Sequence, residues 1–307
     1  MTVPPTVTAA SSRRLAWVRR RRAAAGFWRE YRRNRAGLFG LTVLALFVAA
    51  AVAAPLIVEA DALSVTRAPG PRLDGPSWSF PLGTDDSGRS IADLLLWGSR
   101  VSLTVGFWAT FISVTLGTLI GITAGHFGGW ISTILMRITD WFLVLPSLVL
   151  GIVLATVMGR SLSTIIIAIG VTSWATTARL VRAQTLAVEA RPYIERAQAL
   201  GGGHWHVMSR HVAPNVMPIV LAQTTLLVAS AIILESTFAF LGLGDPTTPS
   251  WGGTLKAARS AGAVSSGLWW YLLPPGFAIA VVALAFTLCG RAIEGGLNPR
   301  LRRGARR

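Results

Sequence analysis

The sequence predicts an all-α membrane protein with six transmembrane helices and both chain ends in the cytoplasm. Of the 307 residues, 52% are apolar and only 14% are charged, and the mean hydropathy is +0.55. A soluble globular domain needs a more highly charged surface than this composition supplies. The second observation is a set of apolar runs of about 20 residues or more, the length that crosses a bilayer. The third is an uneven distribution of basic residues between the loops.

Changes in charge and apolarity divide the chain into segments. Ten arginines before residue 37 place the N-terminal segment in the cytoplasm, and the next apolar run has no clear cleavage site of a signal peptide. The predicted segments are a basic cytoplasmic segment at 1–36, a first transmembrane helix at 37–57, an external loop at 58–96, a five-helix core at 97–292 and a basic cytoplasmic tail at 293–307. The core helices are predicted at about 101–124, 130–157, 161–183, 214–241 and 269–292.

The orientation follows from the basic residues. The N-terminal segment, the 179–212 loop and the tail from Arg291 hold 21 of them, and the other loops hold six. The more basic loops of a membrane protein face the cytoplasm, so six helices with both ends inside satisfy this bias. The net charge of +16 comes from arginines that flank apolar runs. This pattern favours membrane lipid as a partner. It differs from the basic stripe that is typical of a nucleic-acid-binding domain.

The most informative stretch is the polar loop at 191–213, between two apolar runs. Pro192 suits the first position of a helix, and Glu195 falls in the first turn, where a carboxylate suits the helix dipole. Residues at helical spacing are Tyr193, Ile194, Ala197 and Leu200. Three glycines from Gly201 break this helix. A second short helix is predicted from His204 to His211, and Pro214 opens the next apolar segment.

This loop resembles the cytoplasmic coupling loop of ATP-driven importer permeases. The pattern of that family is Glu-Ala-Ala, three residues, Gly, nine residues and then Ile-x-Leu-Pro. Residues that match it are Glu195, Ala197, Gly201 and Pro214, and residues that replace family residues are Arg196, His211 and Ala213. The alternative is an ordinary polar loop between membrane helices.

Further segments narrow the resemblance to the second permease subunit of dipeptide and oligopeptide importers, and it covers nearly the whole chain. They include residues 80–90, 136–147 and 235–253. The resemblance implies a type I ABC importer permease fold with a coupling-helix loop. It also implies a second, homologous permease subunit, two ATP-binding cassette subunits that bind ATP and magnesium, and an extracytoplasmic substrate-binding protein. Peptides are the expected cargo, with nickel or another small solute as the alternative.

Two helix-packing features are visible in the sequence. Gly117, Gly121 and Gly125 recur every four residues, which lets a neighbouring helix approach closely, although simple backbone tolerance gives the same pattern. Pro146 should kink the helix predicted at 130–157.

Sites for catalysis or metal binding are not indicated. Lys256, the only lysine, lies between Leu255 and Ala257, so the chain lacks the Gly-Lys-Ser or Gly-Lys-Thr of a phosphate-binding loop. We therefore expect no enzyme activity and no cofactor in this chain. No cysteine or acid near the loop histidines completes a metal site, and an Asx turn explains Asp85 better than a calcium loop does.

Asp140 and Glu235 are the two acids inside predicted spans, and intramembrane acids are candidates for the transport path. Each could instead be neutralised by a neighbour, and Arg137 lies one helical turn from Asp140.

Two other classes of protein fit less well. An ion-coupled carrier needs repeated topology and charged sites near the middle of the membrane. An intramembrane hydrolase needs a base within the bilayer, whereas the histidines here lie at or near loops.

Overall fold

A computed structural model describes residues 25–297 together with Trp17 and Arg21. Most of the basic N-terminal segment and the end of the basic tail, predicted from the sequence, lie outside the described residues. Within the described part of the chain the fold is helical, and its only β-type pairing is an isolated bridge between Thr84 and Ser90. The prediction of an all-α protein is confirmed.

After a helical stretch at residues 25–31, ten α-helices form the described structure. They are α1 (Arg35–Ile57), α2 (Ile91–Phe127), α3 (Gly129–Val144), α4 (Ser147–Met158), α5 (Leu162–Glu189), α6 (Pro192–Ala199), α7 (His204–Val207), α8 (Ala213–Phe240), α9 (Trp251–Ser260) and α10 (Trp269–Leu297). A 3-10 helix (Ala60–Leu63) follows α1, and a π-helix (Met208–Val212) joins α7 to α8.

The helices that could cross a membrane follow the order predicted from the sequence, and they number five or six against the six predicted. By length and composition, five helical stretches of the described chain are long and apolar enough: α1, α2, α5, α10 and the continuous stretch from α7 to α8. The pair α3 and α4 is a sixth candidate if its two halves form one span.

The second span begins earlier than the predicted residue 101. Helix α2 starts at Ile91, because the side chain of Ser90 caps it and accepts a hydrogen bond from the backbone N–H of Asp93 at 3.3 Å. The last residues of the predicted external loop are therefore helical. With 37 residues, α2 is about 55 Å long, well beyond the hydrocarbon thickness of a bilayer.

The kink predicted at Pro146 is a full break. Leu145 is extended, with φ −72° and ψ 130°, and α3 and α4 meet at an angle of 89°. The proline ring disfavours helical geometry at the preceding residue, which explains why the helix stops at Val144. The helix predicted at 130–157 with a kink at Pro146 is therefore two helices, α3 and α4, one on either side of this proline.

The chain after the glycine break is also more continuous than predicted. Residues 204–240 are helical without interruption, through α7, the π-helix and α8. Pro214 lies in the first turn of α8 and does not separate the two helices. The backbone N–H of Ala213 donates to the carbonyl of Met208, five residues earlier, and this wider turn accommodates the proline.

The close approach predicted from the glycines is confirmed between α2 and α5. A Cβ atom added to Gly117 or Gly125 would lie 2.6 Å from a side-chain carbon of α5, and one added to Gly121 would lie 2.6 Å from the carbonyl oxygen of Ala178. These contacts are too short for a side chain, so the two helices pack directly on the glycine backbone.

The segment between α1 and α2 folds around Asp85. Its fully buried carboxylate accepts hydrogen bonds from the backbone N–H groups of Ser87 at 2.9 Å and Arg89 at 2.8 Å. The Arg89 guanidinium pairs with the same carboxylate at 2.7 Å. The Asx turn predicted here is confirmed.

Candidate functional site

The 191–213 loop forms a groove at one end of the helix bundle, with a volume of about 500 Å³. It is lined by Tyr193, Arg196, Ala197, Leu200, Gly201, Gly202, Gly203, His206 and His211. The groove therefore brings together Tyr193, Ala197, Leu200, Gly201 and His211, which the sequence had indicated. Glu195 lies outside the groove on the exposed side of α6, and Pro214 lies in the first turn of α8.

Local sequence explains how the loop turns. Pro192 begins α6, as predicted, and the helix ends where Gly201 adopts a left-handed conformation with φ +85°. The N–H groups of Gly201 and Gly202 donate to the carbonyls of Gln198 and Ala197, each at 2.9 Å. A Cβ atom at Gly201 would meet no atom within 4 Å. Glycine is therefore favoured here by backbone conformation and not by lack of space.

One face of the loop is anchored on the spans. Ile194 and Val207 are each 1% exposed. They belong to one apolar cluster with Val181, Val188, Val212, Val216 and Val220. These valines belong to α5, the π-helix and α8, so the loop rests on the ends of two membrane-spanning stretches.

The other face of the loop is open. Leu200 is 83% exposed, Trp205 is 77% exposed and Tyr193 is 38% exposed. The ring of His211 packs between the rings of Tyr193 and His206, at centroid distances of 6.1 and 5.6 Å. Exposed aromatic and aliphatic side chains around a groove are typical of a protein-binding surface.

A polar connection that we did not predict from the sequence ties the loop to two spans. His126, at the end of α2, lies 2.6 Å from the carboxylate of Glu189 through Nδ1 and 3.0 Å from Nδ1 of His204 through Nε2. The side chain of His126 is only 2% exposed. The sequence offers only a weak signal for this contact, namely polar residues at the ends of two apolar runs.

The two intramembrane acids occupy different environments. Glu235 is 1% exposed and accepts a hydrogen bond from the Ser102 hydroxyl at 2.8 Å, which links α8 to α2. Asp140 is half exposed and pairs with Arg179 of α5 at 2.6 Å. The sequence suggested Arg137 as the neighbouring cation of Asp140. The partner is instead Arg179, because α3 packs beside α5.

Comparison with protein families places the chain among transport proteins. Residues 117–303 match the family described as "Binding-protein-dependent transport system inner membrane component". Residues 24–69 match the "N-terminal TM domain of oligopeptide transport permease C". The first match includes the 191–213 loop and both intramembrane acids.

Individual relatives agree over almost the full chain. The dipeptide transport system permease protein DppC of Bacillus subtilis is 35% identical, over 90% of this chain and 85% of the relative. DppC of Alkalihalophilus pseudofirmus is 33% identical, over 90% of both chains. The glutathione transport system permease protein GsiD of Pectobacterium atrosepticum is 32% identical, over 90% of this chain and 91% of the relative.

Proposed function

Because the chain belongs to the family of binding-protein-dependent transport system inner membrane components, we propose that it forms half of the translocation path of an ATP-driven peptide importer. A second, homologous permease subunit supplies the other half, and an extracytoplasmic binding protein delivers the substrate. Peptides are favoured as the substrate because the similar proteins include two dipeptide permeases and a glutathione permease.

The 191–213 loop is the proposed contact with one of two ATP-binding cassette subunits. Its groove and its exposed apolar side chains are suited to a protein partner, and its opposite face is anchored on the spans. This two-faced arrangement is the single observation that best supports the proposal. In this arrangement the loop lies in the cytoplasm, as do both chain ends.

The contacts of the loop suggest how movement passes into the membrane. Displacement of α7 moves α8 directly, because the chain is helical from 204 to 240. Displacement of α6 acts on α5 through the buried Ile194, and His126 connects the loop to α2. ATP binding that brings the two ATPase subunits together would therefore shift α2, α5 and α8, and alternating access requires such a shift of packed helices.

In this proposal the chain itself is not catalytic. ATP and magnesium are bound by the partner subunits, and this chain contributes only the path and the mechanical connection. Its sequence has no phosphate-binding loop that could hydrolyse ATP.

The proposal is tested by reconstituting the permease pair, the ATPases and the binding protein in lipid vesicles. We expect uptake of a labelled dipeptide that requires ATP on the loop side of the membrane and stops when vanadate is added. Uptake that needs an ion gradient but no ATP would indicate an ion-coupled carrier. ATP-dependent uptake of nickel without peptide uptake would show that peptides are not the substrate, but the chain would still be part of an ATP-driven importer.

A further inference from the structure

A second cavity lies at the end of the bundle opposite the 191–213 loop. Its volume is about 670 Å³. Its walls come from the segment between α1 and α2, the first turns of α2, the link between α4 and α5, the loop after α8, and α9. In the proposed orientation this end faces outward, where substrate arrives. The volume lies within the usual range of small-molecule sites, about 300 to 1,000 Å³.

Charged groups are unusually concentrated in this cavity. Only six basic residues lie in loops outside the three regions predicted to be cytoplasmic, and three of them, Arg89, Arg160 and Lys256, line it. Basic residues are sparse in the external loops of membrane proteins, so their clustering at one place calls for a ligand or a counter-charge.

Two of these cations have no partner in the part of the chain that the structure describes. Arg89 is paired with Asp85, but Arg160 and Lys256 form no ion pair or hydrogen bond with any residue that the structure describes. The ammonium group of Lys256 lies close to Gly242, where an added Cβ atom would be 2.9 Å from Nζ. The cavity therefore contains two cationic groups that are available to an anion.

An anionic group is available as well. Asp245 lines the cavity and lies within 4 Å of no cation among the described residues. Its carboxylate is oriented by hydrogen bonds from the backbone N–H of Thr247 at 2.8 Å and from the hydroxyl of the same residue at 2.6 Å. The buried hydroxyl of Thr248, which also lines the cavity, has no hydrogen-bond partner within the described chain.

We propose that this cavity binds a short zwitterionic peptide, with the terminal carboxylate at Arg160 and Lys256 and the terminal ammonium at Asp245. A free peptide carries one group of each sign, and charge-assisted hydrogen bonds are the strongest polar contacts available to it. A simple anion would leave Asp245 without a role. The inference rests on the proposed function and adds to it a site on this chain that recognises the two ends of the substrate.

The test compares charge-removing variants in the vesicle assay, with the maximum uptake rate and the apparent affinity for the loaded binding protein measured separately. We expect Arg160→Gln, Lys256→Gln and Asp245→Asn each to lower the maximum rate of dialanine uptake about tenfold, the effect of losing one hydrogen bond to a charged group. The affinity for the binding protein should stay unchanged. Lys256→Arg, which keeps the charge, should retain most of the rate.

Arg259→Gln is the matched control. Arg259 lies on α9 with its guanidinium 5.3 Å from the ring of Phe240, and it does not line the cavity. Weaker binding-protein affinity with an unchanged maximum rate would overturn the proposal and identify a docking surface for that protein. Normal kinetics in all three variants would also overturn it. Absence of ATP-dependent uptake in the wild type would instead reject the proposed function.

A direct binding measurement separates a lost site from a damaged fold. Saturation-transfer NMR on the assembled complex, without the binding protein, should detect dialanine and give a signal about tenfold weaker for its C-terminal amide. The Lys256→Gln complex should bind dialanine more weakly and should discriminate less against the amide, because only Arg160 then remains to pair with the carboxylate. Equal signals from both probes in the wild type would contradict a carboxylate site.

Discussion

The ion pair between Asp140 and Arg179 places two charged side chains on helices that are candidates for crossing the membrane. Its side chains are 48% and 60% exposed, although α5 is a membrane-spanning candidate and α3 belongs to the bent pair. Charged side chains are costly in hydrocarbon and normally face a water-filled path or another protein. We therefore expect this surface to line the path or to contact the second permease subunit, and not to face lipid.

Removing one charge of this pair, and exchanging its two residues, tests this placement. Asp140→Asn should lower transport, because it leaves the Arg179 cation without its partner, and exchanging the two residues should restore transport. Stability should change little, since exposed ion pairs contribute at most about 1 kcal/mol. Arg137→Gln, an exposed cation one turn away on α3, is the control. Wild-type uptake by Asp140→Asn would show that the pair has no part in transport.

At the scale of helices, the packing of α2 on α5 depends on the absence of side chains at three glycines. Gly121→Ala should destabilise the protein by roughly 1 to 3 kcal/mol, the usual cost of overpacking, because its Cβ would lie 2.6 Å from the carbonyl of Ala178. Gly276→Ala in α10 is the matched control, since no atom lies within 4 Å of its Cβ position. Thermal unfolding in detergent, followed by tryptophan fluorescence, measures both variants. Equal melting temperatures would contradict direct packing on Gly121.

The sequence predicts helices better than it predicts their contacts. Apolar runs locate the spans because crossing a bilayer demands length and composition that few other structures need. Helix breaks are harder to judge from sequence, as Pro146 and Pro214 illustrate. Pro146 ends a helix, whereas Pro214 lies in the first turn of α8 after a π-helix that accommodates it.

Contacts between distant residues could not be predicted. The partner of Asp140 is 39 residues away, and His126 lies 63 and 78 residues from its two partners. Only helix packing brings these groups together. Local spacing, by contrast, was sufficient to indicate Tyr193, Ala197, Leu200, Gly201 and His211, which share one groove, because a short helix and its glycine turn depend on neighbouring residues.

At the scale of the whole molecule, the proposed orientation puts the groove and the charged cavity on opposite sides of the membrane. Single cysteines introduced into a Cys289→Ala background test this arrangement. The background lacks the native cysteine, which is buried. Ser77→Cys and Ser266→Cys should react with an impermeant reagent in intact cells, and Ser209→Cys only after permeabilisation. All three positions are exposed. Labelling of Ser209→Cys in intact cells would contradict the proposed orientation of the chain in the membrane.

In the proposed function, the 191–213 loop couples ATP hydrolysis to transport. Gly201→Ala should strain the left-handed backbone at φ +85° by roughly 1 to 2 kcal/mol and so distort the groove. Gly203→Ala is the matched control, because its added Cβ also meets no atom within 4 Å but its φ is −69°.

The measurement is the number of peptides transported per ATP hydrolysed by the reconstituted complex, with copurification of the ATPase subunits recorded for each variant. We predict that Gly201→Ala lowers this ratio or releases the ATPases, while Gly203→Ala matches the wild type. A wild-type ratio for Gly201→Ala, with the ATPases fully bound, would contradict the role of this loop in coupling.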